Sequence, residues 1–337
     1  MNKATNFLKC ICAYLVIFSH SYTIAQNLPD PLSQYSHGII DFGGIAVSVF
    51  FFFSGYYITK SIMRNGTEKF FRKRFSRLLP SLIVVILVTI FLLGPIFTTL
   101  SITQYFSNKN TYLYLLNCVF IPVHSLPGVF ENNIFGSTIN GALWTLSVEM
   151  LSYLYLYLVK KFHFLHVRKY LFIFVATILL CFIGDKLFCY LNLEILSSMI
   201  RPFLIFATSI FISLYEEKIT CNLKFLIFAI LLFVCLIFLR DIVFMYVAMV
   251  GLFPYILYVF ITLFKKCTLK IGLLEHLSYQ IYLVGFPIQQ VLVYLNGGDM
   301  NIFLNFTMSA LLSTLFAYVL YKIEKHILAF KCVKRMI

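Results

Sequence analysis

Charge is what this chain has least of. Of 337 residues only 12% are Asp, Glu, Lys or Arg, about half the share of a soluble domain. Acidic residues are scarcest, 13 against 27 basic ones. With 61% hydrophobic residues, the chain reads as a polytopic membrane protein. Short alternating segments are also lacking, so the apolar runs of about 20 residues read as helices and exclude a β-barrel. The nine cysteines form no paired framework; Cys12, Cys181 and Cys235 fall inside apolar runs as small hydrophobes. No closely spaced Cys/His cluster of the structural-zinc kind occurs, so neither a disulfide nor a metal is expected. Internal repeats, low-complexity linkers and an appended soluble domain are missing too, and residues 1–337 read as one transmembrane domain. No small-residue cleavage site follows the first apolar run, where Gln26-Asn27-Leu28-Pro29-Asp30 stands, so that run is expected to stay as the first span.

What is there is an all-α pattern of about ten spans: 7–24, 44–63, 78–97, 141–160, 169–184, 200–215, 223–239, 242–264, 272–295 and 303–321. With the N-terminus inside, only Lys109, Lys186, Arg201 and Arg240 among the basic residues fall on the far side. That is the positive-inside distribution. It puts both termini in the cytoplasm and accounts for the net charge of +14 without a nucleic-acid partner. Membrane lipid is the expected surround. Lys265-Lys266 with Lys270 reads as an inner anchor, and the C-terminal YKIEKHILAFKCVKRMI as a basic amphipathic piece for the inner membrane surface. Oligomeric state is not legible in this pattern.

Against so apolar a background, the polar residues inside spans stand out. Lys9 and His20 lie eleven apart in the first span, which returns them to within roughly 20° of one helix face, about 16 Å apart along the axis. An ionisable group near mid-membrane marks a functional site by default; the bland alternative is a histidine hydrogen-bonded inside the bundle. Residues 25–43, with His37 and Asp41, read as a solvated outer loop. In the second span Ser54-Gly55 is a small pair that lets a helix or a ligand approach the backbone, helix packing being the first reading. The most basic stretch, Arg64 to Arg77, runs into the third span, where Pro80 is expected in the first helical turn. Arg74 and Arg77 are three apart and project to one side. Arginine forks suit phosphate, although a headgroup anchor uses the same residues.

Residues 98–140 form a long outer segment with one short apolar piece, 112–123, expected at the interface or re-entrant. Asn132, Asn133 and Asn140 are candidate sugar contacts there. The fourth span opens on Trp144, the single tryptophan, expected at the outer interface. It also carries Glu149, the one carboxylate well inside a span. Counted from Gly141 as the outer surface, Glu149 lies about 12 Å deep, which predicts a shared cavity with His20. Tyr279 and Tyr282 are expected on one face of the ninth span, with a kink at Pro287.

Four of these elements, in this order, resemble the bacterial membrane acyltransferase family 3, whose members O-acylate sugars of cell-surface polysaccharides. They are Lys9 with His20, the Gly43–Gly55 run GGIAVSVFFFFSG, Arg74-x-x-Arg77 before Pro80, and WTLSVE from Trp144 to Glu149. The resemblance covers nearly the whole chain. It implies acetyl-CoA as donor substrate with no permanently bound cofactor, its phosphates held by Arg74, Arg77, Lys9 and Lys73. It implies a lipid-linked or polymeric glycan acceptor, of O-antigen or capsule type, and a bacterial cytoplasmic (inner) membrane location. In that reading His20 is general base or acyl carrier and Glu149 its orienting carboxylate. Ser54, the backbone at Gly55, Trp144 and Asn140 are supporting residues. Three positions depart from the family pattern: Lys9 replaces arginine, Ser48 stands where an acidic residue is frequent, and Gly285 stands where histidine is common. A transporter or flippase of a polyisoprenyl-linked glycan is the competing reading, although no inverted repeat supports it.

Overall fold

The computed structural model describes residues 3–265 and 272–333. Lys266, Lys270 and residues 334–337 of the expected basic anchors lie outside that range. The described residues hold ten long helices: α1 Lys3–Gln26, α2 Phe42–Asn65, α3 Phe70–Phe97, α4 Trp144–Lys161, α5 Val167–Tyr190, α6 Glu194–Tyr215, α7 Leu223–Phe238, α8 Ile242–Leu263, α9 Ser278–Leu295 and α10 Ile302–Val333. Among the described residues β-structure is limited to the isolated bridges Thr98–Val129 and Ser125–Thr138. Helices are the expected answer, because in hydrocarbon every backbone N–H and C=O must be paired within its own segment. Eight helices are long and apolar enough to cross a membrane. Of the other two, α7 has only 16 residues, and α9 is diluted by the buried Gln280, Gln289 and Gln290.

α1 lies at the centre, packed against α2, α9 and α10, while α2 continues the core onto α6 and α4. Close approach is made by two glycines. A Cβ on Gly55 would stand 1.9 Å from Ser209 Oγ of α6, and one on Gly285 would stand 3.0 Å from Ile17 of α1. Gly285 therefore marks the α1–α9 contact, where a side chain would press on Ile17. α5 stays on the periphery, only 6% of its apolar window being buried.

The third helix begins at Phe70, not near Pro80. The basic stretch is thus its first turns, amphipathic enough to bury Phe70 and Leu78, and Pro80 sits in the interior, where it removes one backbone donor. Tyr279 of α9 fastens this region by donating to the Leu78 carbonyl at 3.0 Å. We call the end of the bundle that carries Arg64–Arg77 the basic end. Lys60 and Glu216 pair there at 2.5 Å, joining α2 to the segment after α6.

Residues 98–140 are an ordered, re-entrant cap. Leu126, Val129, Phe130 and Ile139 are buried in one cluster with Leu82, Ile86 and Ile90 of α3. The last part of the cap dips far into the bundle: Asn140 Nδ2 donates to the Leu283 carbonyl of α9 at 2.9 Å.

Candidate functional site

Two of the cavities among the described residues lie end to end in the bundle. The first, about 340 Å³, opens at the basic end. Its polar lining comes from five helices: Lys9 of α1, Ser54 of α2 with Arg64 at its end, Arg74 and Arg77 of α3, Thr145 and Glu149 of α4, and Ser278, Tyr279 and Tyr282 of α9. The helical spacing of three brings Arg74 and Arg77 to the same wall. Arg74 sits over the Phe70 ring at 5.9 Å, and its Nε is buried with no hydrogen-bond partner among the described residues. Lys9 lies over the Phe53 ring at 5.6 Å. Glu149 accepts a short hydrogen bond from the Tyr153 hydroxyl and one from Ser54 Oγ at 3.2 Å. Both bonds fall on Oε1, while Arg74 donates to Ser61 Oγ at 3.4 Å and Arg77 lies exposed on the same wall. Two guanidinium forks on one wall have the geometry that suits a phosphate.

The second cavity, about 530 Å³, lies on the far side. It contains His20, Asp30, Asp41, Trp144 and Arg201. The imidazole packs edge-on to Phe286 at 5.1 Å, and its nitrogens make no hydrogen bond among the described residues. Asp30 is the charged group whose field reaches it. That carboxylate is nearly fully buried and accepts from Ser19 Oγ at 2.5 Å, Ser33 N at 2.8 Å and Phe42 N at 2.9 Å. Asp41 caps α2 through the Gly44 N–H, and Arg201 donates to the Ile39 carbonyl at 2.7 Å. The turn between α1 and α2, expected to be a solvated loop, is thus a wall of this cavity.

His20 and Glu149 accordingly do not share a cavity. The depth argument fails at its reference point. Gly141 is no surface residue: a Cβ there would come within 2.7 Å of Phe286, the ring that His20 also touches. The start of the fourth span is therefore level with His20. Eight further residues carry Glu149 about 12 Å toward the basic end, and it arrives beside Lys9.

The remaining sequence candidates divide. Ser54 lines the basic cavity and Trp144 the histidine cavity. Lys73 is exposed and outside both. Gly55 faces α6 as a packing glycine. Asn140 is fully buried, accepting from Ala142 N at 3.2 Å while holding Leu283, so it shapes the start of α4. Asn133 is likewise spent on Gln290 at 2.7 Å. Sequence reasoning missed Asp30, Arg64 and Arg201 as lining residues. Arg64 opens the basic stretch and was within reach; Asp30 gives only a cap signal between two prolines, and Arg201 reads as an anchor.

Three residues, Val47, Thr145 and Tyr282, line both cavities and form the wall between them. The Tyr282 hydroxyl lies 2.7 Å from Thr145 Oγ1 and donates to the Ala142 carbonyl at 3.2 Å.

An acyltransferase domain model, that of acyltransferase family 3, matches residues 2–322. Among curated proteins, the "O-acetyl transferase" of Shigella phage Sf6 is 33% identical over 157 residues, 46% of this chain and 45% of that protein. "Nodulation protein 10" of Rhizobium leguminosarum bv. viciae is 30% identical over 154 residues, 44% of this chain and 41% of that protein. The matched part therefore spans less than half the length of either relative. No solved structure matches. By the match over almost its entire length, the chain belongs to the acyltransferase 3 family.

Proposed function

We propose that this protein is a membrane-embedded O-acetyltransferase that moves an acetyl group from cytoplasmic acetyl-CoA to a hydroxyl of a lipid-linked or polymeric glycan. The observation that carries the reading is the pair of cavities back to back, one lined by cations and one holding a buried imidazole, divided by a single wall. The positive-inside distribution supports a cytoplasmic basic end, and the family resemblance supports a bacterial inner membrane. Donor phosphates then rest on Arg74 and Arg77, with Arg64 and Lys9 adding charge. The pantetheine arm covers the roughly 16 Å that separate Lys9 from His20 along α1. In the far cavity the glycan hydroxyl meets the thioester. His20 takes the hydroxyl proton as oxygen attacks the carbonyl carbon, and returns it to the departing CoA sulfur as the C–S bond breaks. Asp30 balances the imidazolium in between, the role the orienting acid has in triad chemistry. The name of the phage relative favours acetyl as the group moved.

The test is purified protein in proteoliposomes with radiolabelled acetyl-CoA and membrane glycolipid from a polysaccharide-producing bacterium. Label in the glycolipid with equal release of free CoA thiol is expected. Glycolipid movement across the bilayer with no thioester consumed would instead establish a transporter.

A further inference from the structure

The reaction above requires a thioester to come from the basic cavity to the imidazole, yet the passage is shut by side chains. Tyr282 of α9, Thr145 of α4 and Val47 of α2 are each in contact with both cavities, so the wall is one side chain thick. Its hydroxyls are paired with each other at 2.7 Å and with the Ala142 carbonyl. The Tyr282 ring is braced edge-on by Phe50 at 5.8 Å. Both polar members are nearly fully buried, Thr145 at 6% and Tyr282 at 9% exposure. A donor anchored by its phosphates at Arg74 and Arg77 presents its acyl tail first to this wall. Acetyl carries one methyl beyond the carbonyl, whereas each further methylene must be fitted among close-packed side chains.

We propose that Tyr282, latched to Thr145 and opposed by Val47, sets the upper size limit of the acyl group that the protein transfers. The inference rests on the donor site proposed above. It makes Tyr282 a specificity-determining residue and leaves the proton chemistry to His20. It also gives a role to the second tyrosine of LSYQIYLVG, which the catalytic groups do not use.

The experiment compares acetyl-, propionyl-, butyryl- and hexanoyl-CoA in the proteoliposome assay, read as the ratio of kcat/KM for butyryl to that for acetyl. Tyr282→Ala is expected to raise this ratio about tenfold or more, on the scale that one or two methylenes command in an apolar site. Val47→Ala opens the same wall from another helix and should raise it in the same direction by less. Tyr282→Phe keeps the ring and should keep the wild-type ratio. An unchanged ratio in both alanine variants overturns the assignment while leaving the acyltransferase reading intact. So does loss of transfer with every donor from a well-folded Tyr282→Ala protein, since a residue that only limits size is not needed for chemistry. If the wild-type protein releases CoA from none of the donors, the acyltransferase reading falls and this proposal with it.

Discussion

The basic cavity and the histidine cavity use their charged groups in opposite ways. In the first, Glu149 accepts from Tyr153 and Ser54 through one oxygen, and Arg74, which donates to Ser61 Oγ at 3.4 Å, keeps a buried Nε without a partner among the described residues. In the second, the carboxylates are tied down, Asp30 and Asp41 capping backbone amides, but the group left over is an imidazole. Arg201, the cation of that cavity, is spent on Ile39. What each cavity withholds is therefore as informative as what it offers. In the reaction proposed above, one end holds the donor's phosphates, the other moves the proton, and the wall at Tyr282 keeps the two tasks apart.

Substitutions on the two sides should separate these tasks. The largest effect is expected at His20. His20→Ala should lower transfer by about 10²–10⁴, the usual worth of a general base, measured as label incorporated into glycolipid. Asp30→Asn, which can keep the Oδ1 cap on Ser33 N but not the bonds that Oδ2 accepts from Ser19 and Phe42, should lose about a hundredfold in kcat with the donor KM unchanged in protein that still folds. An unaffected kcat would make Asp30 a purely structural cap.

Next comes Arg77→Ala. Removing one charge-assisted contact of about 1.5–3 kcal/mol should raise the donor KM tenfold or more, with the acceptor KM unmoved. Glu149→Gln should act on the same side and more weakly. It is expected to shift the donor KM several-fold, because the amide can still accept from Ser54 and Tyr153 but no longer balances Lys9. A change confined to the acceptor KM would return Glu149 to the histidine. The smallest effect is expected at Lys73. Lys73→Ala should leave the donor KM within about twofold, as for exposed charges generally, although it neighbours Arg74 in sequence.

The helices were legible because hydrocarbon leaves a backbone no other regular solution, and the ten apolar runs each fall on a helix. Arg74 and Arg77 were legible because a spacing of three has only one meaning on a helix. Depth was not. It was counted from Gly141 as a surface residue, and the preceding segment instead folds back into the bundle and pins Asn140 under Leu283. A tertiary hydrogen bond moved Glu149 from one cavity to the other. The charged residues that line the cavity with His20 were hidden for a similar reason: Asp30 comes from a turn and Arg201 from a helix 181 positions away in sequence, and no local period links them. Asn140 was read by residue type as a ligand contact, and its burial and hydrogen bonds show packing; for Gly55 the 1.9 Å approach to Ser209 agrees with the first reading, helix packing.

The division of labour between the cavities is tested most directly by titrating acetyl-CoA into purified protein by calorimetry, in the wild type, His20→Ala and Arg74→Ala/Arg77→Ala. The account predicts an unchanged Kd for His20→Ala and a loss of at least tenfold for the arginine pair. Donor binding lost with His20 and kept without the two arginines would contradict it.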